Sequence, residues 1–189
     1  MKQFPLFDED TAPIPSRSLL EETKKTFRMI PNLERTMAGS PSLLSTYVSA
    51  WALFSETSLT EIEQQIVYQT VNFENECDYC VPWHTYLSKS VGMEQEDVEA
   101  LRAGSRLSGE RNEALRLFTQ ALVRLNGNIA QADLDAFFEA GFSPQQALDV
   151  VLGISIKVMS NYTNSIAGTP LDDVVKAYKW RKPKIELRS

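Results

Sequence analysis

The chain has 189 residues, of which 43% are hydrophobic and 23% are charged, a composition typical of one soluble globular domain. Its formal net charge of −6 excludes the concentrated basic face that a nucleic-acid partner requires. No run approaches the roughly 20 apolar residues of a membrane span. The first ten residues contain no apolar segment and are acidic, so we do not expect a secretory signal there. We therefore predict a cytoplasmic protein with no nucleic-acid and no membrane partner.

Helical patterns run along almost the whole chain, and no stretch shows sustained strand alternation. Capping signals place helix starts at Ser16, Ser40, Thr60 and Ser143, whereas Pro31-Asn32 breaks the chain after the first helix. The predicted helices cover about 16–27, 41–54, 60–74, 80–91, 94–102, 110–125, 131–140, 144–166 and 170–180. The prediction is an all-α, single-domain helical bundle.

Within this single domain of 1–189, we expect N-terminal helices in 1–57, the functional core in 58–104 and C-terminal helices in 105–189. The long helix 144–166 is the most apolar of the set, and the C-terminal helix also carries apolar residues that need a surface to cover. One small bundle has little room to bury so much apolar surface, so the sequence predicts a homo-oligomer.

Both cysteines and the only histidine stand together in Cys77-Asp78-Tyr79-Cys80-Val81-Pro82-Trp83-His84. Helical spacing of three and seven residues brings two thiols and an imidazole to one stripe. Since proline is tolerated in the first turn of a helix, Pro82 places Cys77 at or just before a helix start and Cys80 in the first turn. The N–H groups at the helix start and His84 can then stabilise a Cys80 thiolate, or His84 can act as the base that removes the proton of the Cys80 thiol. Cys77 can close a disulfide with an oxidised Cys80.

Two other interpretations of this cluster remain open. A closed zinc site requires four ligands, and a fourth would have to come from Glu74, Glu76, Asp78 or a neighbouring subunit. Alternatively, the cysteines and the histidine are simply buried core residues. Because all three rare residues share one segment, we favour a redox dithiol that uses neither a metal nor another cofactor.

The residues Glu63-Gln64-Gln65-Ile66-Val67, Asn75-Glu76-Cys77-Asp78-Tyr79-Cys80, His84 and Gly92 resemble the core of the AhpD-like alkylhydroperoxidase and carboxymuconolactone decarboxylase superfamily. That core reads E-x11-C-x-Y-C-x3-H and ends with a glycine. Segments 31–41 and 161–172 resemble the flanking signatures of its peroxidase-related members.

The resemblance implies an AhpD-like helical bundle assembled into a homo-oligomer. It also implies that Cys80 attacks a hydroperoxide oxygen and becomes a sulfenic acid, that Cys77 condenses with it, and that His84 carries the proton. A dihydrolipoyl protein or a thioredoxin-like dithiol would then reduce the disulfide.

One chemical position departs from the family pattern. Gln65 stands twelve residues before Cys77, where the family has a glutamate. An amide can orient His84 but cannot accept its proton. Glu61, about one turn earlier, and Glu74 or Glu76, beside Cys77, are the nearest substitutes, although Glu61 also suits helix capping and the other two suit a solvated turn. The Tyr79 hydroxyl either donates a hydrogen bond near the sulfur or only packs.

Asn161 and Asn164 lie in the otherwise apolar helix 144–166. They either line the site or hold helix ends or a subunit contact together, and we favour the second interpretation. The predicted function is a thiol-dependent peroxidase or disulfide oxidoreductase acting on hydroperoxides. Its alternatives are a decarboxylase-type or other non-redox enzyme of the same superfamily, whose members typically lack the cysteine pair, and a non-enzymatic redox-sensing helical oligomer.

Overall fold

The computed structural model describes residues 4–183; the extreme ends of the predicted single domain, 1–3 and 184–189, lie outside the described residues. Within 4–183 there is no β-strand, so the predicted all-α class is confirmed. The helices are α1 Ile14–Phe27, α2 Asn32–Met37, α3 Pro41–Ser55, α4 Glu61–Glu74, α5 Cys80–Ser90, α6 Gln95–Ala103, α7 Glu110–Arg124, α8 Gln131–Glu139 and α9 Pro144–Ala167. None of these helices is long and apolar enough to cross a membrane.

The capping signals mark the starts of α4 and α9. The Thr60 hydroxyl accepts the N–H of Glu63 at 3.2 Å, and the Glu63 carboxylate accepts the N–H of Thr60 at 2.8 Å. Ser143 and Gln146 exchange the same pair of hydrogen bonds at the start of α9. Each cap stabilises its helix by about 1 kcal/mol. These two helices, whose starts the sequence predicts, both contribute residues to the site described below.

Three local expectations are wrong. Ser16 lies inside α1 rather than at its cap, and its buried hydroxyl donates to the Ala38 carbonyl at 2.9 Å. The chain after Pro31 forms the short helix α2 instead of a simple break. The predicted last helix is only a 3₁₀ segment, Asp173–Tyr178, preceded by extended residues.

Asp172 links the two regions that differ most from the prediction, the start of α2 and the C-terminal segment. Its carboxylate accepts the N–H of Asn32 at 3.1 Å, which ties the start of α2 to the C-terminal segment. The same carboxylate accepts hydrogen bonds from the Tyr79 hydroxyl and the Trp83 indole. These contacts join residues about 90 to 140 positions apart, so no local pattern could predict them.

Helix α4 occupies the centre of the bundle and packs against α5, α7 and α9, and every residue from 63 to 73 is buried. Gly153 allows α9 to approach closely, because a Cβ there would lie 2.8 Å from side-chain atoms of both Phe54 and Val67. The next turn of α9 carries Lys157. The close approach at Gly153 therefore brings a lysine of α9 toward α4 and α5.

Candidate active site

The two cysteines lie at the start of α5. Glu76 adopts a left-handed conformation, with φ of 54°, and turns the chain so that the Cys77 N–H reaches the Asn72 carbonyl at 3.0 Å. The Cys77 sulfur then accepts the N–H of Cys80 at 3.2 Å, in the manner of a helix cap. Both cysteines are free and buried. The structure thus places Cys77 just before the helix and Cys80 at its first residue, as expected.

The Cys80 sulfur faces the polar stripe of α9. It accepts hydrogen bonds from the side-chain amides of Asn161 at 3.0 Å and Asn164 at 3.2 Å, and the Ser160 hydroxyl lies 4.0 Å away. Asn161 has the favoured structural role, because it also bonds to Asn72 and Asn75 at 2.9 Å each and so ties α9 to the end of α4, but both asparagines contact the sulfur as well. Two amide donors aimed at one sulfur favour its ionised form.

His84 lies between two polar side chains from different helices. Its Nδ1–H donates to Gln65 Oε1 at 2.8 Å, and its Nε2 accepts from Lys157 Nζ at 3.0 Å. Burial and then the Lys157 charge hold the pKa of His84 well below its ordinary value, so the imidazole is neutral. Gln65 therefore orients His84, and neither ring nitrogen of His84 is left without a partner.

Lys157 is the functional side chain that sequence reasoning missed. It is only 1% exposed, and among residues 4–183 it forms no salt bridge with a carboxylate. A buried cation needs a nearby anion, and the Cys80 thiolate is the anion in this site. A signal was present, because positions 157, 160, 161 and 164 form one polar stripe on an apolar helix.

The two thiols are held in opposite protonation states. Burial acts to raise the pKa of Cys80, but the Cys77 thiol, the Lys157 ammonium and the amides of Asn164 and Asn161 outweigh it and lower that pKa. Burial and the neighbouring Cys80 raise the pKa of Cys77. The site therefore holds a Cys80 thiolate beside a Cys77 thiol.

The other side chains considered for this site point elsewhere. The Tyr79 hydroxyl donates to Asp172 and accepts the N–H of Leu33 at 3.1 Å, so it does not donate to the sulfur. Glu61 is exposed at the first residue of α4 and does not border the cavity next to Cys80. Glu74 forms an ion pair with Arg124.

The Cys80 sulfur borders a cavity of about 40 Å³, which has room for only a few non-hydrogen atoms. The polar wall comes from Glu34, Cys80, His84 and Lys157, and the rest is mostly aromatic and apolar. A second cavity, of about 240 Å³, adjoins it between α1 and α3. Both cavities are bordered by the same four residues, Phe27, Glu34, Tyr47 and Trp51.

The arrangement of the side chains does not suit a metal centre. Among residues 4–183, no three or more histidine, cysteine, aspartate or glutamate side chains converge so that they could hold a metal ion. The Lys157 ammonium, itself a cation, lies against the His84 Nε2 atom that a metal would need. The residues present do not fit the closed zinc site considered from the sequence.

Fold and site together define an all-α protein with a buried dithiol whose second sulfur is held as a thiolate. Residues 41–121 match the model of the carboxymuconolactone decarboxylase family. The matched segment covers 81 of the 189 residues, so this part of the chain is similar to that family. No protein of curated function matches the sequence.

Three solved structures show how far the fold extends. An uncharacterized peroxidase-related protein with an alkylhydroperoxidase AhpD core, from Ralstonia eutropha JMP134, is 18% identical with a TM-score of 0.82, over 92% of this chain and 93% of that chain. A peroxidase-related protein from Silicibacter sp. TM1040 is 18% identical with a TM-score of 0.77, over 92% of each chain. The debrominase Bmp8, in complex with 2,3,4-tribromopyrrole, is 15% identical with a TM-score of 0.73, over 92% of this chain and 93% of that chain. The AhpD-like fold therefore extends over nearly the whole chain.

Proposed function

We propose that this protein is a thiol-dependent peroxidase that reduces hydroperoxides through Cys80 and Cys77. The observation that carries the proposal is the environment of the Cys80 sulfur. That sulfur accepts two amide hydrogen bonds, shares a buried site with the Lys157 ammonium and belongs to a residue that borders a cavity, while the neighbouring Cys77 sulfur accepts the backbone N–H of Cys80. A stabilised thiolate with a resolving thiol beside it suits peroxide reduction.

The reaction proceeds in three steps. The Cys80 thiolate attacks the terminal oxygen of R–O–O–H, the O–O bond breaks, Cys80 becomes a sulfenic acid, and the alkoxide takes up a proton to leave as R–OH. The Cys77 thiol then attacks the Cys80 sulfur, which forms the disulfide and releases water. An external dithiol, of the dihydrolipoyl or thioredoxin-like kind, finally exchanges with the disulfide and returns two electrons and two protons.

His84 acts here mainly through Lys157. Its Nε2 accepts a hydrogen bond from Lys157 and fixes the ammonium at the cavity that Cys80 borders, while Gln65 holds the ring in the required tautomer. Removal of the imidazole would free the buried ammonium and weaken the stabilisation of the thiolate. We propose that the working form of the protein is a homo-oligomer.

The proposal is tested by treating the reduced protein with one equivalent of tert-butyl hydroperoxide. The expected result is consumption of the peroxide and a loss of two hydrogens in the intact mass, without a covalent dimer. Cys80→Ser is the matched control and should leave the peroxide unconsumed. Thiols that remain reduced after prolonged treatment of the wild-type protein would overturn the proposal.

A second candidate function is the reductive removal of bromine from an aromatic ring. The aromatic side chains of Phe27, Tyr47 and Trp51 border both cavities, which suits a flat ring, and one structural relative is a debrominase. The same dithiol would supply the two electrons. Bromide release from a brominated pyrrole, with no reaction toward hydroperoxides, would favour this candidate over the first.

A further inference from the structure

Glu34 is the buried carboxyl group that the proposed reaction does not yet use. It lies on α2, is 6% exposed, and borders both cavities. Its Oε2 atom is buried without a hydrogen-bond partner among residues 4–183. An unsatisfied buried polar atom is uncommon and calls for an explanation. Because Glu34 borders the same cavity as Cys80, a role of its carboxyl group in the reaction would explain this unsatisfied atom.

The position of Glu34 is fixed by its neighbours on α2. Asp172 holds the N–H of Asn32, and the Tyr79 hydroxyl holds the N–H of Leu33. These bonds fix α2 to the C-terminal segment and to the turn before α5. The titratable and charged groups near Glu34 come from α3, α5, the turn before α5, α9 and the C-terminal segment: Tyr47, Tyr79, Cys80, Lys157 and Asp172, whose charges interact with it, and His84, which borders the same cavity.

The first step of the proposed reaction needs a proton donor. The alkoxide that leaves when the O–O bond breaks is a strong base, and its departure is slow unless it is protonated. Gln65 has no transferable proton, and the Nδ1–H of His84 is held by Gln65. Lys157 donates to His84, and its charge stabilises the thiolate. Among the residues of 4–183 that border the cavity next to Cys80, Glu34 is the only one with a carboxyl group.

The protonation of Glu34 suits this task. Burial raises the pKa of its carboxyl to about 8; the Asp172 and Cys80 charges act in the same direction, and a backbone hydrogen bond and Lys157 oppose them. The carboxyl group is therefore protonated at neutral pH and can lose its proton to a strong base. A carboxylic acid kept neutral by its surroundings is a common general acid in enzymes.

We propose that Glu34 is the catalytic acid of this site and gives its carboxyl proton to the alkoxide oxygen of the substrate. This inference rests on the proposed peroxidase function. As the Cys80 thiolate takes the terminal OH of R–O–O–H, the O–O bond breaks, R–O⁻ takes the proton and leaves as R–OH, and Glu34 becomes a carboxylate. After an external dithiol reduces the disulfide, the proton of the regenerated Cys80 thiol returns to Glu34, which closes the cycle.

The test compares two oxidants whose leaving groups differ in basicity. The reduced wild-type protein and Glu34→Gln react in single turnovers with cumene hydroperoxide, which leaves as an alkoxide, and with peracetic acid, which leaves as a carboxylate that needs no proton. Glu34→Gln should slow the reaction with cumene hydroperoxide by about 10²-fold or more and change the reaction with peracetic acid only a few-fold. Glu34→Asp, which keeps an acid, should give an intermediate rate.

Two controls separate acid catalysis from a structural effect. Alkylation of Cys80 by iodoacetamide needs the thiolate but no proton donor, so Glu34→Gln should leave its rate within a few-fold of wild type. Glu22→Gln removes the carboxyl of a residue that borders only the second cavity, and it should leave both oxidation rates unchanged. Equal slowing of both oxidants by Glu34→Gln would overturn the role of Glu34 and leave the peroxidase function standing.

A wild-type protein that reacts with neither oxidant would overturn the peroxidase function and the role of Glu34 with it. If Glu34→Gln fails to fold, the wild-type protein carries the test. Its rate with cumene hydroperoxide must then fall as the pH rises past about 8, where Glu34 loses its proton. A rate that does not fall above that pH would overturn the proposal.

Discussion

The Lys157 ammonium donates to the Nε2 atom of His84 across 3.0 Å, which joins α9 to α5 in the wall of the cavity that Cys80 borders. The imidazole is neutral, so the positive charge of this pair resides on the lysine. This charge acts on the buried Cys80 sulfur and lowers the pKa of its thiol. The Lys157 charge therefore explains how a chain with a glutamine at position 65 still favours the Cys80 thiolate.

Lys157→Met should raise the pKa of Cys80, because it removes the charge and keeps a side chain of similar length. The rate of iodoacetamide alkylation at pH 6.5, measured in a Cys77→Ser background, should fall by about tenfold. Lys176→Met removes an exposed lysine and serves as the matched control, with no change expected. If the alkylation rates are the same with and without Lys157, the Lys157 charge does not lower the pKa of Cys80.

Cys80→Ser and Cys77→Ser should affect peroxide consumption differently. Cys80→Ser should abolish peroxide consumption, since it removes the stabilised thiolate. Cys77→Ser should still allow one turnover and trap a sulfenic acid on Cys80, because no resolving thiol is left. Dimedone labelling followed by peptide mass spectrometry locates the adduct. A sulfenic acid found on Cys77 in a Cys80→Ser protein that still consumes peroxide would reverse the assigned roles.

Features encoded within one turn of helix could be predicted from the sequence. The capping box at Thr60 and the helix start at Cys80 follow from residue types that satisfy nearby backbone groups, and both are present. The contact between Gln65 and His84 is implied by the resemblance to the family pattern, and it is present. Such features depend on few residues and short separations, so a single sequence is enough to find them.

The missing parts of the site depend on distant residues. Glu34 reaches the cavity only because Asp172, 138 residues later, fixes the start of α2. Lys157 looks like an isolated charge on an apolar helix until α9 packs against α5. The polar stripe on α9 marks Lys157 as unusual, but the burial of Lys157 and of the Glu34 carboxyl arises only when several helices pack together.

Glu34 should make the protein less stable as the pH rises. The pKa of its carboxyl is about 8 in the fold and 4.5 without burial, so the folded state binds more protons between these values. The stability that the neutral acid contributes is complete below pH 4.5 and decreases as the pH rises toward 8. At pH 7, which is 2.5 units above 4.5, the loss amounts to at most roughly 3.5 kcal/mol, from about 1.4 kcal/mol per pH unit.

Glu34→Gln removes this titration and should be more stable than the wild-type protein at pH 7, with a smaller advantage at pH 5. Guanidinium unfolding of the reduced proteins at several pH values measures both free energies of unfolding. This measurement does not depend on any enzymatic activity. Parallel stability curves for the two proteins between pH 5 and pH 8 would mean that the carboxyl is ionised throughout.

The homo-oligomer remains a prediction, and exposed apolar residues of α9 are a candidate surface for it. Helix α9 exposes Leu148 at 72%, Tyr162 at 59% and Ile166 at 69%, next to a groove of about 430 Å³ between α4, α7 and α9. Apolar surface of this kind favours burial in a subunit contact. Light scattering should report a multiple of 21.3 kDa.

Tyr162→Glu should dissociate the oligomer, because a charge in the subunit contact is unfavourable. Leu53→Glu places the same charge on a residue of α3 that is 60% exposed, away from this groove, and should leave the assembly intact. A wild-type particle of about 21 kDa at micromolar concentration would contradict the prediction.

Gln65→Glu restores the carboxylate of the family pattern and tests whether Glu34 has taken over its work. The new carboxylate would accept the Nδ1–H of His84, raise the pKa of the imidazole and receive its proton. We expect kcat/KM for small hydroperoxides to rise by about tenfold, or roughly 1.4 kcal/mol of barrier. Glu61→Gln is the control and should have no effect, since Glu61 is exposed.

The double variant Glu34→Gln/Gln65→Glu decides between a shared and a separate role for the two positions. If Glu34 supplies the proton that a glutamate at position 65 would otherwise pass through His84, the double variant should recover much of the rate that Glu34→Gln loses with cumene hydroperoxide. Two independent roles would instead give effects that multiply, because sites that do not interact are additive in free energy. A double variant as slow as Glu34→Gln would show that no proton reaches the substrate through His84, and it would leave Glu34 as the sole acid of the site.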